Sequence, residues 1–297
     1  MNLLVYVFAI LILFPLSLLP LRVLYILSDF TAFLLFRVLK YRRQVVTDNL
    51  SKTFPSLSET ERRKVEKAFY YHLSDLMFET IKCLTISKKE MKKRCEIKDL
   101  HILDEYAEKE RSVVAVLGHY GNWEWAALSS ALSVKQQMVV IYKPLTNDYF
   151  NQLINRTRSR FGVKMVAMKD AFRFYFENRD KVFVNCFVAD QSPQNRRSVQ
   201  WHTFLNQETA VTAGPEKIAR KFDHAVIFVS LQKIKRGFYH LRMKKLTENP
   251  NLEPDEGVTR LHLHALEAQV LEKPEHWLWS HRRWKLKMRK SEPNNSK

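Results

Sequence analysis

The chain has 297 residues, 46% of them hydrophobic, with 6 glycines and 10 prolines, so it can bury a sizeable core and is neither collagen-like nor disordered. Lys+Arg 49 against Asp+Glu 31 leaves a formal net charge of +18, which calls for an anionic partner: nucleic acid, anionic lipid headgroups or an acidic carrier protein. Cys83, Cys95 and Cys186 are too few, too scattered and odd in number for a disulfide framework or a clustered zinc site, in keeping with a reducing compartment.

From Asn2 to Leu21 no side chain is charged. As a helix this stretch would cover about 30 Å, the thickness of a hydrocarbon core, and its apolar residues run all round instead of forming a stripe. It is expected to span or anchor in a membrane. Val23 to Phe36 is shorter and carries Asp29, which fits an interfacial or protein-packed helix. Lys40, Arg42 and Arg43 follow, and the positive-inside rule then keeps the remaining chain in the cytoplasm. A cleavable signal fits poorly: the apolar run is too long, no basic segment precedes it and no small-x-small site follows. The expected organisation is a membrane anchor over residues 1–38 and a catalytic domain over 39–297.

Ser58 with Glu61 forms a capping box, and Val65, Phe69, Leu73, Leu76 and Met77 recur at helical spacing, which predicts a long helix to about Leu84. Short runs rich in β-branched residues then alternate with helical stretches. Ser112–Leu117, Gln137–Tyr142, Lys164–Met168, Lys181–Ala189, Ala225–Ile234 and Tyr239–Lys245 read as strands. Trp123–Leu132, Asn147–Phe161, Asp170–Asn178, Pro215–Phe222 and Thr259–Leu271 read as helices. This alternation implies an α/β fold, a central largely parallel sheet flanked by helices, with ligands at the carboxyl ends of strands. The tail from Arg282 to Lys290 interleaves basic and apolar residues, which suits a membrane surface or a fraying terminus.

The stretch from Gly118 to Trp125, directly after a strand, carries the chemistry. His119 at a strand end and Glu124 five residues on, with a turn between, can bring imidazole and carboxylate together. Glu124 would then hold His119 in the tautomer that accepts a proton from a hydroxyl. No serine or cysteine nucleophile is needed if that hydroxyl attacks an acyl thioester directly. Asp190 follows a strand, where a site residue belongs, and equally suits a turn before Ser192-Pro193. Thr212 and Pro215 open a helix whose N–H groups would attract an anion, or simply cap it.

Gly118-His119-x-Gly121-Asn122-Trp123-Glu124 resembles the motif of the late, or secondary, acyltransferases of lipid A biosynthesis, within the lysophospholipid acyltransferase superfamily. The resemblance extends through Asn49-Leu50-x-x-x-Phe54-Pro55, Tyr142-Lys143-Pro144, Arg156-x-Arg158-x-Arg160-Phe161-Gly162, Ala189-Asp190-Gln191, Thr212-x-Gly214-Pro215 and Trp277-x-Trp279-x-His281-Arg282-Arg283-Trp284. It implies an inner-membrane enzyme facing the cytoplasm that moves a fatty acyl chain from acyl carrier protein to a hydroxyl of a lipid A precursor, with no cofactor and no metal. His119 would be the base and Glu124 its support. Backbone N–H groups of the turn would receive the oxyanion, and Arg156, Arg158, Lys143, Asp190 and Asn122 would contact substrate. For Arg156 and Arg158 the competing reading is a solvated helix face.

The acceptor could instead be another bacterial glycolipid, phospholipid or aminolipid, since the His119 chemistry is indifferent to what bears the hydroxyl. A non-catalytic basic membrane adaptor is the rival from another class. His262 and His264, two apart on a helix, do not share a face for a metal. Arg173, Tyr175 and Phe176 come with no nucleic-acid motif, and no nucleic-acid partner is expected. His281 is assigned to structure or membrane contact before catalysis.

Overall fold

The computed structural model describes residues 2–193 and 199–288. In chain order the elements are α1 (Asn2–Leu18), α2 (Leu21–Phe33), α3 (Arg43–Thr53), α4 (Glu59–Lys82), α5 (Lys88–Arg94), β1 (Cys95–Ile97), α6 (Leu100–Glu108), β2 (Val113–Leu117), α7 (Trp123–Ala131), β3 (Gln137–Tyr142), α8 (Asp148–Arg158), β4 (Lys164–Ala167), α9 (Ala171–Glu177), β5 (Phe183–Val188), β6 (Val199–Phe204), β7 (Gln207–Thr212), α10 (Gly214–Phe222), β8 (Ala225–Lys235), β9 (Phe238–Thr247) and α11 (Gly257–Glu272).

Seven strands form one sheet in the order β1-β9-β8-β2-β5-β3-β4, parallel throughout except for the β8–β9 pair. All five residues of β2 are buried, as a central strand covered on both faces requires. Alternation sorts its side chains. Val113, Ala115 and Leu117 pack with Leu103 of α6 and Ala126 of α7, while Val114 and Val116 join Tyr175 of α9, Ile218 of α10 and Leu266 of α11. The expected α/β fold, a central largely parallel sheet flanked by helices, is therefore present. The strands β6 and β7 form a separate antiparallel hairpin that the alternating pattern did not announce.

Ser58 caps α4 as the sequence predicts, accepting from the Glu61 N–H while Glu61 reaches back to the Ser58 N–H. The N-terminal segment departs from expectation. The helix α1 has 17 residues, with Pro15 inside it, and Pro20, in an extended conformation, separates it from α2. At 1.5 Å per residue α1 covers about 25 Å. Among the described residues, no helix is long and apolar enough to cross a membrane, so the expected spanning helix is not found. Both helices pack on α4. The carboxy-terminal segment also departs from expectation where it is described: Arg283 and Trp284 are buried, donating to Ala210 O at 2.7 Å and to Thr209 Oγ1 at 2.8 Å. The rest of the basic run, from Arg289 on, lies outside the described residues.

Candidate active site

The neighbouring central strands β2 and β5 end side by side, with the Ala189 N–H on Leu117 O at 3.1 Å. Their next residues form the site. Gly118 has room for no side chain: a Cβ there would lie 2.5 Å from Leu266 Cδ1 and 3.2 Å from Asp190 Oδ2. Asp190 thus comes close enough to accept the His119 backbone N–H on Oδ2 at 2.8 Å, while its Oδ1 lies 2.5 Å from His119 Nδ1. Trp277 donates its indole N–H to Oδ2 at 2.7 Å. Burial works against ionisation of Asp190, but the charge and hydrogen bonds of His119, with the Trp277 indole, outweigh it and hold the carboxyl well below the usual range. An anionic Asp190 accepts the hydrogen bond of an Nδ1–H, the tautomer that leaves the Nε2 lone pair facing outward. Gln191 Nε2 stands 3.2 Å from that Nε2, and the Trp123 ring lies edge-on to the imidazole, 4.9 Å between centroids.

Glu124 does not hold His119. It is engaged by Arg158, whose Nε donates to Oε2 at 2.7 Å and whose Nη2 bonds Oε1, and by the Trp123 indole at 3.2 Å. Five residues of sequence separation put Glu124 in the first turn of α7, whereas adjacency of β2 and β5 puts Asp190 on the imidazole; the orienting role expected of Glu124 falls geometrically to Asp190. Burial alone would strip charge from Arg158, and the Glu124 bonds and charge more than offset it, so the guanidinium stays charged.

Asn122 is also corrected. It is fully buried, its Oδ1 accepting the Trp125 N–H at 2.9 Å as the cap of α7 and its Nδ2 donating to Glu79 at 2.7 Å, so its amide is spent inside the protein. The expected oxyanion donors are partly committed as well. The His119 N–H serves Asp190, and the Gly121 N–H bonds His276 O at 3.0 Å where Tyr120 pairs with Trp277 like a strand. Gly121, at φ +61°, allows that turn.

A cavity of about 660 Å³ opens beside His119. Its mouth carries Glu124, Lys143, Arg158, Lys169 and Gln191. Its depth is apolar and follows one face of the sheet. Leu117, Val188 and Val229 line it nearest His119, then Ala115, Cys186, Val140 and Ile227, then Val184 and Met138, while Ala126, Ala127, Ser130 and Leu103 close it from the helix side. The register confirms these rows: Ala115 faces Cys186 and Ile227, and Cys186 faces Val140. Burial pushes the Cys186 thiol up to about 12, so it is an inert part of the wall. Arg156 is exposed on α8 and is not among the lining residues.

Sequence reasoning did not see the function of the carboxy-terminal motif. Trp277 holds Asp190, and the neutral His281 ring, its pKa pulled to about 4 by burial, accepts the Ser192 N–H at 3.0 Å. Asn49 in turn donates to Trp279 O at 2.9 Å and His281 O at 3.0 Å. Three motifs far apart in sequence thus serve one carboxylate.

The site is thus a histidine braced by a buried carboxylate at the mouth of a deep apolar cavity, on the carboxyl edge of a largely parallel sheet. The sequence profile of the bacterial lipid A biosynthesis acyltransferases matches residues 2–286, so the chain belongs to that family and is an acyltransferase. It is similar to the lipid A biosynthesis lauroyltransferase of Escherichia coli (strain K12), 26% identical over 271 residues, covering 91% of this chain and 87% of that one. It is also similar to the palmitoleoyltransferase of the same organism, 23% identical over 250 residues (84% and 80% covered), and to a lipid A biosynthesis acyltransferase of Haemophilus influenzae (strain ATCC 51907 / DSM 11121 / KW20 / Rd), 23% identical over 245 residues (81% and 74% covered).

Proposed function

We propose that this enzyme performs secondary acylation of lipid A, moving a fatty acyl chain from an acyl carrier protein thioester to a hydroxyl of a lipid A precursor. The observation that carries this reading is His119, held by Asp190, at the mouth of the apolar cavity. The fatty chain lies along the sheet face with its thioester carbonyl at His119. The acceptor hydroxyl displaces the Gln191 amide from Nε2, gives its proton to Nε2 and attacks the carbonyl carbon. Collapse of the tetrahedral intermediate forms the ester and expels the carrier thiolate, which takes the proton from His119. Asp190 stays ionised and stabilises the imidazolium in between.

The cationic groups suit both substrates. Acyl carrier protein is acidic and lipid A precursors carry phosphates, so Lys143 and Lys169 at the mouth, with exposed Arg156 nearby, meet anionic partners. Arg158, fixed by Glu124, lines the same wall. Residues 1–38 form the membrane-facing unit and 39–297 the catalytic unit. Leu4, Phe8 and Leu11 of α1 and Ile26 and Phe30 of α2 are each more than 60% exposed, an apolar surface that water does not favour and an interface with lipid accommodates. Tyr6 of α1 stacks on Tyr149 of α8, the helix that also carries Arg158. The proposed location is therefore the cytoplasmic side of the bacterial inner membrane, with α1 and α2 lying in the interface.

The test is an assay with a purified tetra-acylated lipid A precursor and carrier-linked fatty acids of graded length. Formation of a penta-acylated ester product supports the reading. No transfer to the precursor from any carrier thioester, with transfer from the same thioesters to another lipid hydroxyl, would replace the acceptor.

A further inference from the structure

Glu79 of α4 is fully buried and makes no salt bridge among the described residues; the charge of Lys233, which is bridged to Asp75, reaches it only from a distance. Three neutral donors from three other parts of the chain converge on it. Tyr25 of α2 donates to Oε1 at 2.8 Å, and Asn122 Nδ2 and the Tyr239 hydroxyl of β9 each donate to Oε2 at 2.7 Å. Its main-chain carbonyl takes the Trp125 indole N–H at 3.0 Å. Residue 79 therefore grips the start of α7 twice, once through Asn122 and once through Trp125. The second end of the Asn122 amide accepts the Trp125 backbone N–H. His119, the proposed base, lies just before this grip, and Glu124, the partner of Arg158, lies within it.

A buried carboxylate without a direct ion pair is costly, and a fold that only needed to fill this space could use an apolar side chain. What the carboxylate adds is direction: it fixes which way the Asn122 amide faces, and so where the turn leaving His119 enters α7.

We infer that Glu79 is a positioning residue of the acyl transfer, setting the His119–Glu124 segment through Asn122 and tying it to α2 through Tyr25. This rests on the reading of His119 as the base. A misplacement of the order of 1 Å at such a group costs about a hundredfold in rate.

Reversing the bond tests this. Asn122→Asp sets two carboxylates against each other while keeping an acceptor for the Trp125 N–H. Adding Glu79→Gln supplies an N–H to the new carboxylate, and the tyrosine hydroxyls can rotate to accept. The single variant is expected to lose at least about tenfold in kcat with KM for the acyl donor within about twofold, and to speed hydrogen exchange at the Trp125 amide; the double variant is expected to recover kcat to within about threefold. Wild-type kcat and exchange in Asn122→Asp, or no recovery in the double variant, overturns the inference. Should Asn122→Asp not fold, Glu79→Gln beside Glu79→Met decides: glutamine can face its oxygen to Asn122 and Tyr239 and its amide to Tyr25, so it keeps kcat, whereas methionine loses at least about tenfold. Equal kcat in those two overturns the inference. Exchange at Trp125 responds to positioning whatever the substrate, so an inactive wild type with a normal exchange response refutes the acyl-transfer reading alone.

Discussion

Asp190 and Glu124 are both carboxylates on segments that directly follow strands, and their environments separate their roles. Asp190 is buried, carries three hydrogen bonds and faces Nδ1; Glu124 faces a guanidinium across the cavity wall. Asp190→Asn is therefore expected to lower kcat by about two to four orders of magnitude, because an amide favours the wrong tautomer of His119. Glu124→Gln should cost less, since the imidazole keeps its partner. Turnover of the two variants on one substrate pair checks this, and a larger loss in Glu124→Gln would return the orienting role to Glu124. His119 was legible in the sequence because a strand, a glycine and a histidine sit within a few residues. The role of Asp190 was not, because it depends on β2 and β5 being neighbours, a pairing 71 residues apart that no local pattern encodes.

At the scale of elements, the strands and helices from residue 112 onward follow the hydrophobic periodicity closely because each packs in a regular layer. Three strands, β1, β6 and β7, escaped for local reasons. With three residues, β1 is too short to show alternation. The β6–β7 hairpin turns at Leu205 and Asn206, both with positive φ, and leucine is not the residue that marks such a turn. The expected spanning helix failed at Leu19-Pro20, where proline starts a new helix instead of continuing the first. The cavity between the sheet and α6 and α7 yields a prediction of its own. Ala115 lies in its middle row, so Ala115→Phe should shift preference to shorter fatty chains, each excluded methylene being worth about 1–3 kcal/mol. Comparison of kcat/KM across carrier thioesters of graded length reads this, and an unchanged optimum would take the sheet face out of chain selection.

At the scale of the molecule, charge and apolar surface act together. Replacing Leu4, Phe8 and Leu11 by serine is expected to abolish most binding to anionic phospholipid vesicles while leaving turnover on detergent-dispersed substrate within about threefold; retained vesicle binding would move the lipid contact elsewhere. Stability has its own pH dependence. Burial holds His224, His262, His276 and His281 each at about 4 in the folded chain, against about 6.5 when unfolded. The unfolded state therefore binds protons first as pH falls. The stability these neutral rings permit is intact above about pH 6.5 and declines towards pH 4. Tm should fall across that window, and fall less steeply in His281→Phe, where one proton fewer is taken up on unfolding.

Most direct of all is single-turnover transfer by His119→Ala, with folding verified by the unchanged melting of the variant. Loss of at least about two orders of magnitude in the rate of ester formation is predicted for removal of the base. A loss below tenfold would contradict the mechanism built on that imidazole.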